Sequence, residues 1–553
     1  MNNEVFLGLD VGTQSTKAVL YHPHSQTIKA RASSSYDLDP NPNNVNGRAE
    51  QHPHKWIHAL HTCFQSLKPI LQQEQFTLTG IGVSGQQHGM VPLDANLQII
   101  RSAKLWCDVE ASSQAEDFSD GATKIMRQNG MIGEGDTWTI PAGFTAPKVL
   151  WMKENEPEKF ARVKYILLPH DYINLCLNTG LGHDMDVEKY NTKETLLDEY
   201  KPNASLVDTG NAIPTTDAGD ASGTGLLHPS EPRYVEQLTK LISEDYLSKL
   251  PRILPPEQSS GVLSDHWKRI LGISAEDEKT EIQISVGSGD NMSSAMGCAC
   301  TEPGRAVLSL GTSGTIFGVS DSPVRTGTPV APFRDATGRY LPLVCVMSCT
   351  GVLNSVLENW CSDSGSLTHG EATVRAEGVL PGCHGLTFLP YLGGERTPDW
   401  PHATGALLGM NPQNMNLMGK DKAGIMYRAA MEGITYLLAD AMDQIRDSCG
   451  EGFQPTSLYV VGGGSKNTLW RQMLADVLGL ELLFPMEPES AALGAAYQAG
   501  AVVRGVTVEE FVRGQKVELE DVVVKPTEDQ KTLQLYQEGL ERYRAYSRKL
   551  FEK

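Results

Sequence analysis

Two short stretches indicate the fold class: residues 9–16 read LDVGTQST, and residues 308–315 read LSLGTSGT. They align without a gap, and a leucine, a glycine and two threonines coincide. Each stretch joins two short apolar segments, a pattern typical of a strand, a tight turn and a second strand. A repeated strand–turn–strand unit, about 300 residues apart, predicts two related α/β domains that open with the same hairpin.

The residues of these turns suit the binding of phosphate. A tight turn of glycine, threonine and serine exposes backbone N–H groups and hydroxyls, which hold phosphate oxygens without a net positive charge. Either turn alone is more simply a structural hairpin, but the pair predicts phosphate binding by Gly12, Thr13, Gln14, Ser15 and Thr16, and by Gly311, Thr312 and Ser313. Asp10 is matched by Ser309 in the second copy, and an acid beside a phosphate can hold magnesium, directly or through water.

The composition excludes several classes of function. The 553 residues include 67 acidic and 47 basic side chains, which gives a formal net charge of −20. So negative a surface repels nucleic acids and anionic membranes, and we expect neither as a partner. No apolar run approaches the roughly 20 residues of a membrane helix, and the first ten residues carry no signal-peptide core. The ten cysteines follow no framework spacing, so we expect reduced cysteines and a cytoplasmic location.

The rest of the chain alternates strand-like and helix-like stretches, which is typical of an α/β fold. Apolar residues at helical spacing predict one helix between Trp56 and Leu71, and further helices over 425–446, 468–478 and about 527–551. We expect an N-terminal domain of residues 1–302 and a C-terminal domain of residues 303–553. Residues of about 181–213 are polar and lack periodicity, which predicts an insertion or a long surface loop.

The segment ISVGSGDNMSSAMG (284–297) is the first candidate for chemistry. A predicted strand ends there in two glycines and delivers Asp290 and Asn291. An acid at such a position suits a general base, although an Asp-Asn turn is an equally good interpretation of this segment alone. Its place just before the expected domain boundary favours a functional role, because ligand clefts lie at domain interfaces.

Three further segments offer groups for ligands. GVSGQQHGM (82–90) supplies Gln87 and His88, which can donate to and accept from the hydroxyls of a polar ligand. KLWCDVE (104–110) adds Trp106 as a stacking face and Asp108 as an acceptor; alternatively, Trp106 is a plain core tryptophan. SLYVVGGGSKN (457–467) suits a flat nucleobase, because glycines let the backbone approach it closely, or is simply a tight strand-to-helix turn. The histidines at 52, 54, 58 and 61 indicate a solvated helix face rather than a metal site.

In this order, the motifs resemble the FGGY carbohydrate kinases of the actin/hexokinase/Hsp70-type ATPase superfamily. The resemblance covers nearly the whole chain and also includes Thr145, Lys148 and Trp151 of GFTAPKVLWMKEN (143–155), YLGGERTP (391–398) and ESAALGAAYQAG (489–500). It implies two ribonuclease H-like domains that flank an interdomain cleft, a small-molecule sugar and MgATP as substrates, and a monomer or a homodimer.

Within this family, EQHPHKW (50–56), GQQHG (85–89) and LWCD (105–108) resemble the xylulokinases, which implies phosphorylation of D-xylulose to D-xylulose 5-phosphate. By this resemblance, Asp290 is the general base and Asp10 lies near the metal and the γ-phosphate. The sugar would be contacted by Gln87, His88, Trp106, Asp108, Asp290 and Asn291, and the nucleotide would be bordered by Gly462, Gly463 and Asn467.

Two alternatives stay open at this point. No basic residue lies between Trp138 and Lys148, where some xylulokinases place an arginine, so the substrate can be another ketose or polyol such as D-ribulose. A non-catalytic, actin-like nucleotide-binding protein is the alternative of a different class, and the presence of both Asp10 and Asp290 argues against it.

Overall fold

The computed structural model describes residues 3–189, 201, 213–273, 281–361 and 367–552. Contacts divide the chain into two compact units: the first contains Met1–Thr301, Pro332–Leu341 and Glu489–Val517, and the second contains Glu302–Ala331, Pro342–Pro488 and Glu518–Lys553. Residues 489–517 therefore belong to the first unit, although a single cut of the chain near residue 302 assigns them to the second. Most of the expected insertion, residues 190–200 and 202–212, lies outside the described residues.

Hydrogen bonding defines the strands of the described chain as follows: β1 (Glu4–Val11), β2 (Ser15–His22), β3 (Thr27–Ser35), β4 (Glu50–Gln51), β5 (Thr77–Gly85), β6 (Val91–Leu93), β7 (Ala103–Lys104), β8 (Tyr165–Leu167), β9 (Thr215–Asp217), β10 (Arg252–Leu254), β11 (Ser259–Val262), β12 (Gln283–Ser285), β13 (Ser288–Gly289), β14 (Arg305–Leu310), β15 (Gly314–Gly318), β16 (Ala331–Arg334), β17 (Tyr340–Val346), β18 (Thr387–Leu389), β19 (Ala406–Leu408), β20 (Ser457–Val461) and β21 (Glu481–Leu483).

The α-helices of the same residues are α1 (His54–Gln73), α2 (Ser112–Gln128), α3 (Thr145–Asn155), α4 (Pro157–Phe160), α5 (Pro169–Thr179), α6 (Ala218–Ala221), α7 (Glu236–Thr239), α8 (Asp265–Ile270), α9 (Asp290–Gly297), α10 (Thr350–Trp360), α11 (His369–Glu377), α12 (Pro412–Cys449), α13 (Thr468–Leu478), α14 (Ser490–Arg504), α15 (Val508–Arg513) and α16 (Gln530–Phe551). None of these helices is both long enough and apolar enough to cross a membrane.

The sheets of the two units share the same topology over five strands. In the first, the strand order is β11-β12-β5-β1-β2-β3; β1 and β2 are antiparallel, and β5 and β12 run parallel to β1. In the second, the order is β17-β15-β14-β20-β21, with an antiparallel β14–β15 pair and with β20 and β21 parallel to β14. The repeated hairpin is thus the first element of a repeated sheet, and the prediction of two related α/β domains is confirmed.

The two hairpins differ by one residue in their turns. In the first, Val11 pairs with Thr16 across the turn, whereas in the second Leu310 pairs with Gly314. Thr16 and Thr315, which align without a gap in sequence, therefore occupy different register positions, because the first turn is one residue longer. A strand that shifts by one residue turns its side chains to the other face, so the two threonines are not structural equivalents.

Each unit buries its own apolar core. In the first, the predicted helical stripe of α1, with Trp56, Leu60, Phe64 and Leu67, is buried, and the helix packs against β2 and β3. In the second, α12 and α13 pack against β14 and β20 around Leu437, Leu438 and Trp470. Helix α13 has the predicted bounds of 468–478, and α16 begins after Asp529, whose carboxylate accepts hydrogen bonds from the N–H groups of Lys531 and Thr532.

The expectation of a solvated histidine face is wrong. His52, His54 and His61 are all buried, and Nε2 of His61 lies 2.9 Å from the carbonyl oxygen of Gly182. His58 reaches the carbonyl oxygen of Val187 in the same way, at 3.1 Å. The segment 180–187 covers this side of α1, and a contact with a segment so distant in sequence leaves no mark in the helical periodicity.

Helix α14 packs on the first sheet more closely than side chains allow. A Cβ at Gly494 would lie 1.8 Å from the carbonyl oxygen of Ser293 in α9, and one at Gly82 of β5 would lie 1.9 Å from that of Ala495. A Cβ at Gly8 of β1 would likewise lie 1.8 Å from the carbonyl oxygen of Ala492. These glycines are needed because backbone lies against backbone, and α14 is thereby fixed over β1 and β5.

Gly494→Ala is expected to destabilise the protein by roughly 3 kcal/mol, because a methyl group there collides with backbone that cannot yield. The thermal midpoint should fall by roughly 4 °C, measured by differential scanning fluorimetry. Gly135→Ala is the matched control, since no atom lies within 4 Å of its Cβ position. Equal midpoints for the two variants would contradict the close packing of α14 on α9.

Candidate active site

The first hairpin turn is anchored through its carbonyl groups. The carbonyl oxygen of Gly12 accepts from the Tyr36 hydroxyl at 2.8 Å and from Nε2 of Gln86 at 3.3 Å. That of Thr13 accepts from Nε2 of Gln51 at 3.0 Å. In a planar trans peptide the following N–H points away from the carbonyl, so the N–H groups of Thr13 and Gln14 point away from these anchors.

The second turn is anchored in the same manner. The carbonyl oxygen of Gly311 accepts from Oγ1 of Thr350 at 2.7 Å and from its N–H at 3.0 Å. That of Thr312 accepts from the N–H of Gly351 at 3.2 Å. The N–H groups of Thr312 and Ser313 are consequently directed outward, as a nest of donors that suits an anion.

Asp10 ends β1 beside the first turn. Its Oδ1 accepts from the Ser84 hydroxyl at 3.0 Å, and the nearby Lys17 forms an ion pair with Glu489 at 2.7 Å. Burial raises the pKa of Asp10 to about 6, even though Ser84 and Lys17 act to lower it. A cation beside Asp10 would stabilise the charged form of this buried carboxyl group.

Asp290 begins α9 and lies within a small network of polar side chains. Nδ2 of Asn291 donates to Oδ1 of Asp290 at 3.0 Å and to Oε1 of Gln87 at 2.8 Å. Burial, and then the negative charges of Asp10 and Asp220, raise the pKa of Asp290 to about 8. The structure therefore brings together Gln87, Asp290 and Asn291, three of the residues named from the sequence, in hydrogen-bonding contact.

His88 is held in a strained position next to this network. Its φ of 62° lies in the left-handed region, and its Nδ1 lies 3.1 Å from the carbonyl oxygen of Gly223. The ring stacks on Phe144 at 4.5 Å between centroids, and Nζ of Lys148 donates to the His88 carbonyl oxygen at 2.9 Å. Non-glycine residues with such φ values often occur at functional sites, where the surroundings fix them.

The sequence named Trp106 and Asp108 together, but the structure gives them different surroundings. Trp106 is half-buried, and its Nε1 donates to Oγ1 of Thr13 at 2.9 Å, so it adjoins the first turn. Asp108 is fully buried and accepts from Nζ of Lys104 at 3.2 Å and from the N–H of Ala49 at 2.9 Å. Its surroundings favour a structural role.

Asp108, Glu50 and Glu110 form the one described group of side chains with the spacing of a metal site. Nζ of Lys104 lies 2.6 Å from Glu110, 3.0 Å from Glu50 and 3.2 Å from Asp108, and it also lies 4.1 Å from the Trp151 ring centroid. The lysine ammonium therefore occupies the position that a metal ion would take among these carboxylates.

The glycine-rich loop after β20 lies next to the second hairpin. Gly462 has a φ of 89°, and a Cβ there would lie 2.7 Å from the carbonyl oxygen of Leu310, whereas Gly463 has open space around its Cβ position. Asn467 caps α13 by accepting from the N–H of Trp470 at 3.1 Å, and its Nδ2 donates to Thr373 at 2.9 Å. The loop is fixed at Gly462 and Asn467, and it is open at Gly463.

Two positioning residues were missed in the sequence. Gln86 precedes the named Gln87, and it bonds to the first turn by accepting from Thr13 Oγ1 at 3.2 Å as well as by donating to Gly12. Glu395, in the quoted segment YLGGERTP, is buried and accepts from the N–H groups of Met347 at 2.7 Å and Ser348 at 3.2 Å. That carboxylate fixes the segment that leads into α10, whose first residue anchors the second turn.

Comparison with known proteins decides the family. The N-terminal domain of the FGGY family of carbohydrate kinases matches residues 5–196, and the C-terminal domain of that family matches residues 306–502. The chain belongs to the FGGY family of carbohydrate kinases. The protein is thus a carbohydrate kinase, and ATP is one of its substrates, which favours the enzyme over the non-catalytic alternative.

Relatives and solved structures agree with this family. A xylulose kinase of Haemophilus influenzae is 32% identical over 505 residues, which are 90% of this chain and 90% of that protein. A crystal structure of a xylulose kinase from Brucella ovis has a TM-score of 0.81 at 26% identity and covers 99% of each chain. A glycerol kinase of Plasmodium falciparum with ADP shares the fold, with a TM-score of 0.77 at 19% identity, over 100% of this chain and 99% of that one.

Asp108→Asn is expected to lower stability by about 2 kcal/mol, because it weakens a buried charged hydrogen-bond network. The KM for the sugar should stay within about twofold of the wild type, since the side chain faces Lys104 and backbone amides. Thermal unfolding and steady-state kinetics measure the two effects, with Asp117→Asn, on the exposed face of α2, as the control. A large rise in this KM at unchanged stability would instead assign Asp108 to the substrate.

Proposed function

We propose that this FGGY kinase transfers the γ-phosphate of MgATP to the terminal hydroxyl of D-xylulose, which gives D-xylulose 5-phosphate and ADP. The observation that carries the proposal is the hydrogen-bonded arrangement of Asp290, Asn291 and Gln87, in a chain that is 32% identical to a xylulose kinase over 505 residues. Hydroxyl-rich ligands suit such a cluster of amide and carboxylate groups.

Asp290 acts in this proposal as the general base. As the hydroxyl oxygen forms a bond to the γ-phosphorus, the bond from that phosphorus to the bridging oxygen of ADP breaks, and the hydroxyl proton passes to the Asp290 carboxylate. A pKa of about 8 makes that carboxylate a stronger base than an ordinary aspartate. Phosphoryl transfer otherwise depends on positioning and on charge stabilisation, which suits the two turns and their outward N–H groups.

Magnesium fits the position of Asp10. Its carboxylate is buried beside the first turn with a raised pKa, and Mg²⁺ typically binds one or two carboxylates together with phosphate oxygens and water. When bound, the ion would neutralise charge on the phosphates of ATP. In the second unit, Gly311, Thr312 and Ser313 would hold phosphate oxygens, and Gly462, Gly463 and Asn467 would border the adenosine.

Among sugars, D-xylulose is expected to give the highest kcat/KM, at least about tenfold above D-ribulose, glycerol and D-gluconate. The physical reason is that buried amide and carboxylate groups reject a sugar whose hydroxyls leave them without partners. An ADP-coupled assay over this panel measures the ratio, and the phosphorylated product identifies the hydroxyl. A higher kcat/KM for another member of the panel would replace D-xylulose as the substrate.

Asp290→Asn is expected to lower kcat by about a thousandfold, because the amide accepts no proton in the transition state. Thermal stability at pH 8 should not fall, since the change removes a negative charge that burial, Asp10 and Asp220 make unfavourable. An acid whose pKa is raised on folding contributes its full stability below the unfolded pKa near 4, and this contribution is lost as the pH rises toward 8. The stability that Asp290→Asn gains over the wild type should therefore grow over this range.

Asp117→Asn, an exposed change in the same unit, is the matched control for Asp290→Asn and should leave both quantities unchanged. Near-normal turnover of D-xylulose by Asp290→Asn would refute the assignment of the base.

A further inference from the structure

A buried chain of polar side chains leads through the first unit to Asp290. Its inner member is His170 of α5, which is fully buried. Nδ1 of His170 lies 2.6 Å from Oδ2 of Asp220, and its Nε2 lies 3.0 Å from Oδ1 of Asp171. Burial lowers the pKa of His170, but the neighbouring carboxyl groups of Asp171 and Asp220 outweigh it and raise the pKa to about 9. At 2.6 Å, Nδ1 of His170 is placed to donate a hydrogen bond to Oδ2 of Asp220, which favours the charged form of that carboxyl group.

The other oxygen of Asp220 faces Gln87. Oδ1 of Asp220 and Nε2 of Gln87 are both buried, and neither has a hydrogen bond of full geometry within the described residues. Both groups lie beside β13: a Cβ at Gly289 would lie 2.7 Å from Cγ of Gln87, and one at Gly219, the residue before Asp220, would lie 2.8 Å from Oγ of Ser288. The Gln87 amide, after His170, also lowers the pKa of Asp220 that burial raises. Beyond Gln87 the chain continues through Nδ2 of Asn291, which donates to Oε1 of Gln87 and to Oδ1 of Asp290.

This chain has a direction, because a side-chain amide donates at one end and accepts at the other. A carboxylate at Asp220 only accepts, so it turns Nε2 of Gln87 toward itself and leaves Oε1 for Asn291. Asn291 must then present its N–H groups to Gln87 and to Asp290. With an amide at position 220, Gln87 would turn round, and Asn291 would present its oxygen to the carboxylate of Asp290, which is repulsive.

We propose that Asp220 and His170 are positioning residues for phosphoryl transfer, which set the direction of the Gln87–Asn291 amide pair so that it donates to Oδ1 of Asp290. The pair then holds the Asp290 carboxylate in one orientation, with Oδ2 left to accept the proton of the sugar hydroxyl. Neither positioning residue contacts the sugar. The inference rests on the proposed role of Asp290 as the base.

The test uses the enzyme with all 553 residues and reverses the direction of the hydrogen bond between position 220 and Gln87. Asp220→Asn keeps the shape but puts an N–H group opposite Nε2 of Gln87, and we expect kcat to fall by about 50-fold with the KM for ATP within twofold. Gln87→Glu alone puts two carboxylates face to face and should also lower kcat. In the double variant Asp220→Asn/Gln87→Glu, the new amide donates to the new carboxylate, which still accepts from Asn291. We expect kcat at least fivefold above that of Asp220→Asn, a rescue that a merely structural role would not give.

A second pair of variants keeps the test decisive if Asp220→Asn does not fold. His170→Asn retains a donor near the position of Nδ1 and should keep kcat within about fivefold of the wild type, whereas His170→Leu removes it and should lose about 50-fold. Asp117→Asn is the control for all variants, and melting midpoints are measured for each. Equal kcat for the two His170 variants would overturn the inference.

The remaining outcomes separate this inference from the proposed function. Wild-type turnover of D-xylulose and its loss in Asp290→Asn are measured first, and failure of either refutes the proposed function. If both hold, a wild-type kcat for Asp220→Asn overturns the positioning role alone. A double variant whose loss equals the product of the two single losses overturns it as well.

Discussion

The carbonyl groups of both hairpin turns are bound by the protein, and the other features of the candidate site depend on this constraint. Because the peptide is planar and trans, a carbonyl held on one side directs the next N–H to the other side. The donors that hold the first turn come from Tyr36, Gln51 and Gln86, and those that hold the second come from the start of α10. Each turn is therefore held by residues that are distant in sequence, so the turns would not have to reorient to bind an anion as proposed.

Neutral donors of this kind suit a protein with a net charge of −20. The first unit adds several buried acids near the start of α9, and burial raises the pKa of Asp10 to about 6, of Asp217 to about 6 and of Asp290 to about 8. Groups whose pKa is raised on folding make the folded state less stable as the pH rises from about 4 toward these values. At neutral pH, the first unit without ligands carries this electrostatic cost, and a cation that arrives with the nucleotide would relieve part of it.

The sequence predicted the features that depend on local pattern, and it missed those that depend on distant partners. The hairpins, the bounds of α13 and the α/β class follow from periodicity and turn chemistry, which are visible within a few residues. The burial of His61 depends on its contact with Gly182, and the surroundings of Asp108 depend on Lys104 and Ala49. Residues 489–517 join the first unit because glycines in β1, β5 and α9 admit α14, a requirement that no local pattern reveals.

The repeated topology also places one loop of each unit at an equivalent position. In each unit a loop follows the strand that runs parallel to the first strand of the hairpin: Gln86, Gln87 and His88 follow β5, and the glycines 462–464 follow β20. Ligands bind at the carboxyl ends of parallel strands, so these two loops occupy equivalent positions for binding. The first loop offers amides and an imidazole, which match hydroxyls, and the second offers bare backbone, which admits a flat ring.

The hairpins of the two units also differ in one acidic residue, because Asp10 of the first is matched by Ser309 at the equivalent point of the second. In the proposed function, the duplicated fold would supply two similar phosphate turns, with proton transfer assigned to the first unit and nucleotide binding to the second.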